Sequence, residues 1–143
     1  MTLYALAQRS TATAAASANW EVRSTAANKP KIMELGLTQN AATAGVYGIG
    51  RPGAIGVTPT TPQTVVDEGD GNAPAGVTTA AVAWGTGPTV PTNFNRRVSC
   101  AATIGVGFIF TFPRGLGIPI SGSIVTWIIA TAPVCDVYAV VDE

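Results

Sequence analysis

The C-terminal third, Arg96 to Glu143, alternates apolar runs with Gly, Pro and Ser breaks and carries almost no charge inside the runs. Between Val106 and Phe112 a period of two puts Val106, Phe108, Phe110 and Phe112 on one face and Gly105, Gly107, Ile109 and Thr111 on the other. This predicts a strand with one thick aromatic side and one thin side. Ser123 to Ala130 is apolar on both faces (Ile124 and Ile128; Val125, Trp127 and Ile129), the pattern of a strand covered on both sides. Val134 to Val141 sets Cys135, Val137, Ala139 and Val141 against Asp136 and Tyr138, a strand with a wetter outer side. A helical reading competes over Gly115 to Cys135, which has no charge and the length of a membrane span. Pro119, Pro133, three glycines and two serines interrupt it, its Ile and Val favour strands, and no Lys/Arg cluster flanks it, so strands without a membrane are expected.

Upstream the runs are shorter. Thr2 to Ala7 alternates Leu3 and Ala5 with Tyr4 and Leu6, and reads either as a first strand or as an arm on a neighbour. Arg9 to Asn19 is small and polar, without sharp periodicity. Asn19 to Ala26 sets Trp20 and Val22 opposite Glu21 and Arg23, the half-buried pattern of an outer strand. After the "ANKP" break, Lys31 to Thr38 puts Met33, Leu35 and Leu37 on one side and Glu34 on the other, and the two runs predict a hairpin. Ala44 to Ile49 is a further strand, with Val65 to Val66 and Val77 to Trp84 weaker candidates, giving eight or so in all. Three long connections separate them: Arg51 to Gln63, Asp67 to Gly76 and Gly85 to Asn95. They carry Ile55, Val57, Val90 and Phe94, which need a surface to lie on, either this domain's own or another subunit's.

Composition narrows the chemistry. A chain of 143 residues suits one domain with a core that needs no metal or disulfide. Net charge is zero and only 11% of residues are charged, with Lys29, Lys31 and six arginines scattered along the chain, so no basic stripe for nucleic acid is expected, and some surface is expected to be covered. The absence of histidine removes the usual general base, metal ligand and pH switch together. Cys100 and Cys135 fall on apolar faces and read as buried thiols, with a disulfide between the strands as the alternative. No secretory signal is read in "MTLYALAQRS", so synthesis in the cytoplasm is expected.

No motif assembles into a catalytic site. Gly48, Gly50 and Gly53 have dinucleotide-turn spacing, but "AIGVTPTTP" cannot supply the helix that receives a pyrophosphate. They read instead as turn glycines at positive φ. Asp67, Glu68 and Asp70 lack calcium-loop spacing and read as a solvated loop, and Asp142 and Glu143 as charge on an exposed tail. An enzyme is not expected, nor any cofactor or metal. Arg114, isolated between Phe112-Pro113 and Gly115-Leu116, is either a strand-end cation in solvent or an interface anchor.

The phrases "VAWGTGPTVPTNFNRRVS", "GVGFIFTFPRGLGIPISGSIVTW" and the chain end "DVYAVVDE" resemble a group of small virion proteins of tailed bacteriophages associated with capsid decoration. The likeness covers the last two thirds of the chain and rests on phrases, not on a catalytic signature. It implies a β-rich homotrimer that binds the major capsid protein on the capsid exterior of the virion and strengthens the head, with no active-site residue, cofactor, nucleic acid or membrane. A tail or baseplate-associated virion protein, or a receptor-binding jelly-roll module, is the alternative. With the strand count, the expected architecture is all-β: one antiparallel β-sandwich over residues 1–143, jelly-roll in type, with residues 1–18 as an N-terminal arm and long Pro/Gly loops. The residues expected at a partner interface are Leu3, Tyr4 and Leu6 of the arm, Arg51, Ile55, Val90 and Phe94 of the loops, and Arg114.

Overall fold

The computed structural model describes residues 2–69 and 71–143. In chain order the strands are β1 (Leu3–Arg9), β2 (Ser17–Arg23), β3 (Lys31–Gln39), β4 (Gly45–Gly50), β5 (Val57–Pro59), β6 (Gln63–Thr64), β7 (Val66–Asp67), β8 (Thr79–Ala81), β9 (Trp84–Thr86), β10 (Arg96–Cys100), β11 (Gly107–Gly117), β12 (Ser123–Ala130) and β13 (Cys135–Asp142). Eight of these have five residues or more, and no helix occurs among the described residues. Accordingly, no helix is long and apolar enough to cross a membrane.

Two large antiparallel sheets pack face to face. One has the order β11-β3-β13-β1-β7, the other β10-β4-β12-β2-β8-β6, and β5 pairs with β9 in a separate ribbon. The protein is therefore an all-β sandwich. The period-two pattern decides which side chains enter. From the first sheet Tyr4, Leu6, Leu35, Leu37, Val137, Ala139 and Val141 point inward, and the partner register stacks Leu6 beside Ala139 and Ala139 beside Leu35. From the second sheet Trp20, Val22, Tyr47, Ile49, Ile124 and Ile128 meet them. Each such Leu, Ile or Val contributes on the order of 1.5–3 kcal/mol by leaving water. The aromatic side of β11 lies on this core, with the Phe108 ring 5.0 Å from Phe110 and 6.2 Å from Tyr47, while Ile109 on the thin side is exposed.

Three expectations are corrected here. The runs around Trp20 and Leu35 do not form a hairpin, because β2 pairs with β12 and β8 whereas β3 pairs with β11 and β13. The "ANKP" break carries the chain from one sheet to the other. Nor is β2 an outer strand, since it has neighbours on both sides. The N-terminal segment is no free arm: β1 lies between β13 and β7 in seven-residue register with β13. Tyr4 and Leu6 are only 4% and 1% exposed, so neither has surface left to offer a partner. Packing inside the sandwich outcompetes any docking outside it.

Both cysteines are free and buried. Cys135 ends a short polar chain in the core: Gln39 Nε2 donates to Tyr47 Oη (3.0 Å), Tyr47 Oη contacts Cys135 Sγ (3.0 Å), and Sγ donates to the Pro133 carbonyl (3.2 Å). Burial pushes the Tyr47 hydroxyl and the Cys135 thiol above their ordinary ranges.

Candidate interaction surfaces

The outer faces of the two sheets differ. Along the second sheet Ser123, Val125 and Trp127 of β12 and Asn19 and Glu21 of β2 point away from the main core, yet all five are buried. The chain's own loops cover them. Arg51–Gln63 and Gly85–Asn95 clasp each other through Gly53 N–H to the Thr89 carbonyl (3.0 Å), Thr89 N–H to the Ala54 carbonyl (2.9 Å) and the β5–β9 ribbon. Together they form a third layer.

One carboxylate pins that layer. Glu21 accepts from Gly56 N–H (3.1 Å), Trp84 Nε1 (2.7 Å) and Ser123 Oγ (2.6 Å), with Arg23 Nε 3.9 Å away. The alternation of β2 predicted a wet position for Glu21; the structure buries it, because the loop supplies donors that replace water. Phe94 forms the second anchor. A Cβ at Gly48 would lie 2.6 Å from the Phe94 ring, and one at Gly50 would lie 3.1 Å from Pro91. Gly48 and Gly50 are therefore strand glycines of β4 that let the loop lie flat, and none of Gly48, Gly50 and Gly53 has the expected positive φ. The Arg97 guanidinium lies 5.9 Å from the Phe94 ring centre.

The outer face of the first sheet has no such cover. The register sets Val66, Ala5, Val140, Glu34 and Thr111 in one row and Ala7, Tyr138, Gly36 and Ile109 in the next. Leu3, Val66 and Ile109 are 40%, 63% and 63% exposed. Charge is sparse on this face, and three of its groups are engaged by neighbours. Arg9 holds Asp136 in a two-pronged contact of 2.7 and 2.8 Å, which lowers the Asp136 carboxyl, and Tyr138 Oη donates to Glu34 at 2.6 Å. That bond, ahead of burial, pushes the Tyr138 hydroxyl up to about 12.

At one edge of the sandwich β11 slips register against β3 between Thr111 and Leu116, and the residues Phe112 to Gly115 bulge outward. Gly115 has φ +71°, and a Cβ there would press on Lys31 at 2.6 Å, so glycine is required for this bulge. The bulge and the start of β10 enclose a groove of about 440 Å³ lined by Asn95, Arg96, Phe112, Arg114 and Leu116 among others. Arg96 stacks over Phe112 at 5.7 Å. Next to it Arg51 Nη2 donates to the Gly117 carbonyl at 2.9 Å. At the opposite edge Asp67 is half-buried and accepts from the N–H groups of Gly69 (2.9 Å), Gly71 (2.7 Å) and Ala73 (3.4 Å), so it is a turn organiser. Asp70 lies outside the described residues. Glu143 is no free tail charge, because its carboxylate accepts from Val77 N–H (2.8 Å) and Thr78 N–H (2.7 Å).

The residues expected at an interface thus separate into three groups. Tyr4 and Leu6 are in the core; Ile55 and Phe94 are half-buried in the loop layer; Leu3, Arg51, Val90 and Arg114 remain exposed. Leu3 belongs to the bare face and Arg51 and Arg114 to the basic edge. Sequence reasoning placed Tyr138 on an outer side but missed Ile109 and Val66 as interface candidates, and Arg96 as the companion of Arg114. The thin face of the 106–112 run was the available signal for Ile109. No protein-family model, curated protein or solved structure matches the chain.

Proposed function

We propose that the chain is a structural virion protein that binds the outer surface of a phage head through its first sheet and stabilises the capsid, with the major capsid protein as its partner. The observation that carries this reading is the contrast between the two outer faces. One is sealed by the chain's own loops, whereas the other exposes Leu3, Val66 and Ile109 beside Ala5, Ala7 and Val140. A chain with so few charges gains by covering such a face, and exposed apolar area of this kind marks association surfaces. The likeness of the "GVGFIFTFPRGLGIPISGSIVTW" region to decoration proteins points the same way. We read the sandwich as a jelly roll, supported by the wiring of the eight long strands. Successive strands β1, β2, β3 and β4 alternate between the sheets, as do β10 to β13, so that β1-β13-β3-β11 faces β2-β12-β4-β10. Such a role uses no catalytic residue and no cofactor.

Heads lacking the protein, mixed with the purified chain and pelleted, are expected to carry it down, and to withstand heating better afterwards. The variant Leu3→Lys/Ile109→Lys is expected to stay in the supernatant while remaining folded. No binding to heads, or labelling of the tail in whole virions, would overturn the reading; the latter outcome would favour a tail or receptor-binding module.

A further inference from the structure

Part of the charge of this neutral molecule gathers at its two long edges, basic at one and acidic at the other. Of its eight Lys and Arg residues, Arg96 and Arg114 line the β10–β11 groove, and Lys29 and Lys31 line an adjoining one of about 540 Å³ with Ile118 and Ile120. Arg51 bridges the two at Gly117. None of the residues lining either groove is acidic. The nearest carboxylates in register are Glu34, engaged by Tyr138, and Asp142, opposite Lys31 one strand further in. At the far edge, four strand spacings or about 19 Å away, β7 carries Asp67 and is followed by Glu68, with Glu143 close by at Gly76. Glu68 is exposed, and Val66 beside it is one of the most exposed apolar residues described.

The two edges also offer apolar groups to each other. The basic edge is a groove floored by Phe112 and Leu116 and rimmed by arginines, and the acidic edge presents the exposed Val66 and Glu68, with Asp67 and Glu143 beside them held by backbone N–H groups. Both β11 and β7 are sheet edges without a further strand. We infer that the occupant of the Arg96–Arg114 groove is the Val66–Glu68 edge of a second copy of this chain. Opposite charges meet, and Val66 brings the apolar area that isolated surface ion pairs lack. The contact joins different surfaces of the two copies, so it propagates head to tail and closes into a ring where the rotation permits. It takes up Val66 at the rim of the bare sheet face and leaves Leu3 and Ile109 free, and it deepens the capsid reading by naming the contact between copies without depending on it.

Sedimentation velocity on the full chain tests this. The wild-type protein is expected to associate at low salt and to dissociate at about 1 M salt, where the screening length falls to about 3 Å. Arg96→Glu/Arg114→Glu and Val66→Lys/Glu68→Lys are each expected to weaken self-association at least tenfold, with unchanged circular dichroism. Mixing the two variants is expected to restore association, because each presents the charge that the other now lacks. A wild-type protein that stays monomeric at low salt, an oligomer unaffected by either variant, or no recovery on mixing would overturn the inference. So would groove variants that keep the oligomer and lose only head binding, since the groove would then hold the capsid. Pelleting with heads is read separately, so a monomer that still binds heads ends this inference and spares the capsid reading.

Discussion

The indole N–H of Trp84 donates to the carboxylate of Glu21 at 2.7 Å, joining β9 of the loop layer to the outer face of β2 across 63 positions of sequence. Two further donors, Gly56 N–H and Ser123 Oγ, converge on the same group. A Cβ at Gly56 would lie 2.2 Å from the Trp84 ring, so the loop backbone reaches the carboxylate only because residue 56 is glycine. This buried cluster makes the third layer part of the fold.

Removing the carboxylate should therefore cost more than a surface mutation. Glu21→Ala leaves three donors, two of them fully buried, without an acceptor, and the expected loss is about 3 kcal/mol. Glu21→Gln keeps the shape but turns an N–H group toward at least one donor, and should cost about half as much. Chemical denaturation measures both, and hydrogen exchange at Gly56 should speed up in Glu21→Ala before the sandwich unfolds. Equal stability of Glu21→Ala and the wild type would show that the layer is not pinned there.

Phe94 is expected to act through stability. Its ring lies over Gly48, with Arg97 stacked upon it. Phe94→Ala should lower stability by about 2 kcal/mol, less than the 3–5 kcal/mol of a fully buried Phe because the ring is only half-covered. Head attachment at a temperature where the variant is folded should be unchanged. Weakened attachment with full stability would return Phe94 to the interface role that its loop position suggested.

These cases show where the sequence was legible. The period-two runs of the last third are strands in the structure, and Ser123 to Ala130 matches β12 residue for residue, because alternation and apolarity are local properties. Pairing is not local: nothing in the "ANKP" stretch distinguishes a hairpin from a crossing between sheets. The burial of Glu21 depends on Gly56, Trp84 and Ser123, all remote in sequence, so its alternation with Trp20 and Val22 read as wet. Gly48 and Gly50 misled for the same reason, since the ring that demands their small size comes from another loop. Arg114 was legible as an isolated cation, but its grouping with Arg96 required the sheets to pack.

The alkaline limb of stability should report on Tyr138. Its hydroxyl is raised to about 12 by the bond to Glu34, whereas in the unfolded chain it titrates near its ordinary value of 10.0. Between these values the unfolded state has released a proton that the folded state still holds, so stability falls as pH rises from about 10 to about 12. Tyr138→Phe should flatten that slope, and Tyr47, also raised, should leave a residual decline. Denaturant midpoints across this range check it; an unchanged slope in Tyr138→Phe would count against the bond. With no histidine in the chain, head attachment should be flat between about pH 6 and 8, and a sharp loss there would contradict the residue inventory.

Truncation decides between strand and arm. Deleting residues 1–7 removes Tyr4 and Leu6 from the core and strips β13 of its neighbour over most of the seven-residue register. It also unseats Tyr4 Oη from the Pro74 carbonyl, a 2.6 Å bond that holds the loop after β7. The truncated chain is expected to lose its cooperative unfolding transition, because two large buried side chains and an interior strand go together. An arm would behave differently, leaving the monomer's transition intact and weakening only attachment to heads. Leu3→Lys separates the two roles within one strand. Its side chain lies on the bare outer face and 40% of it is exposed, so folding should survive and attachment should weaken, whereas Leu6→Lys in the core should abolish both.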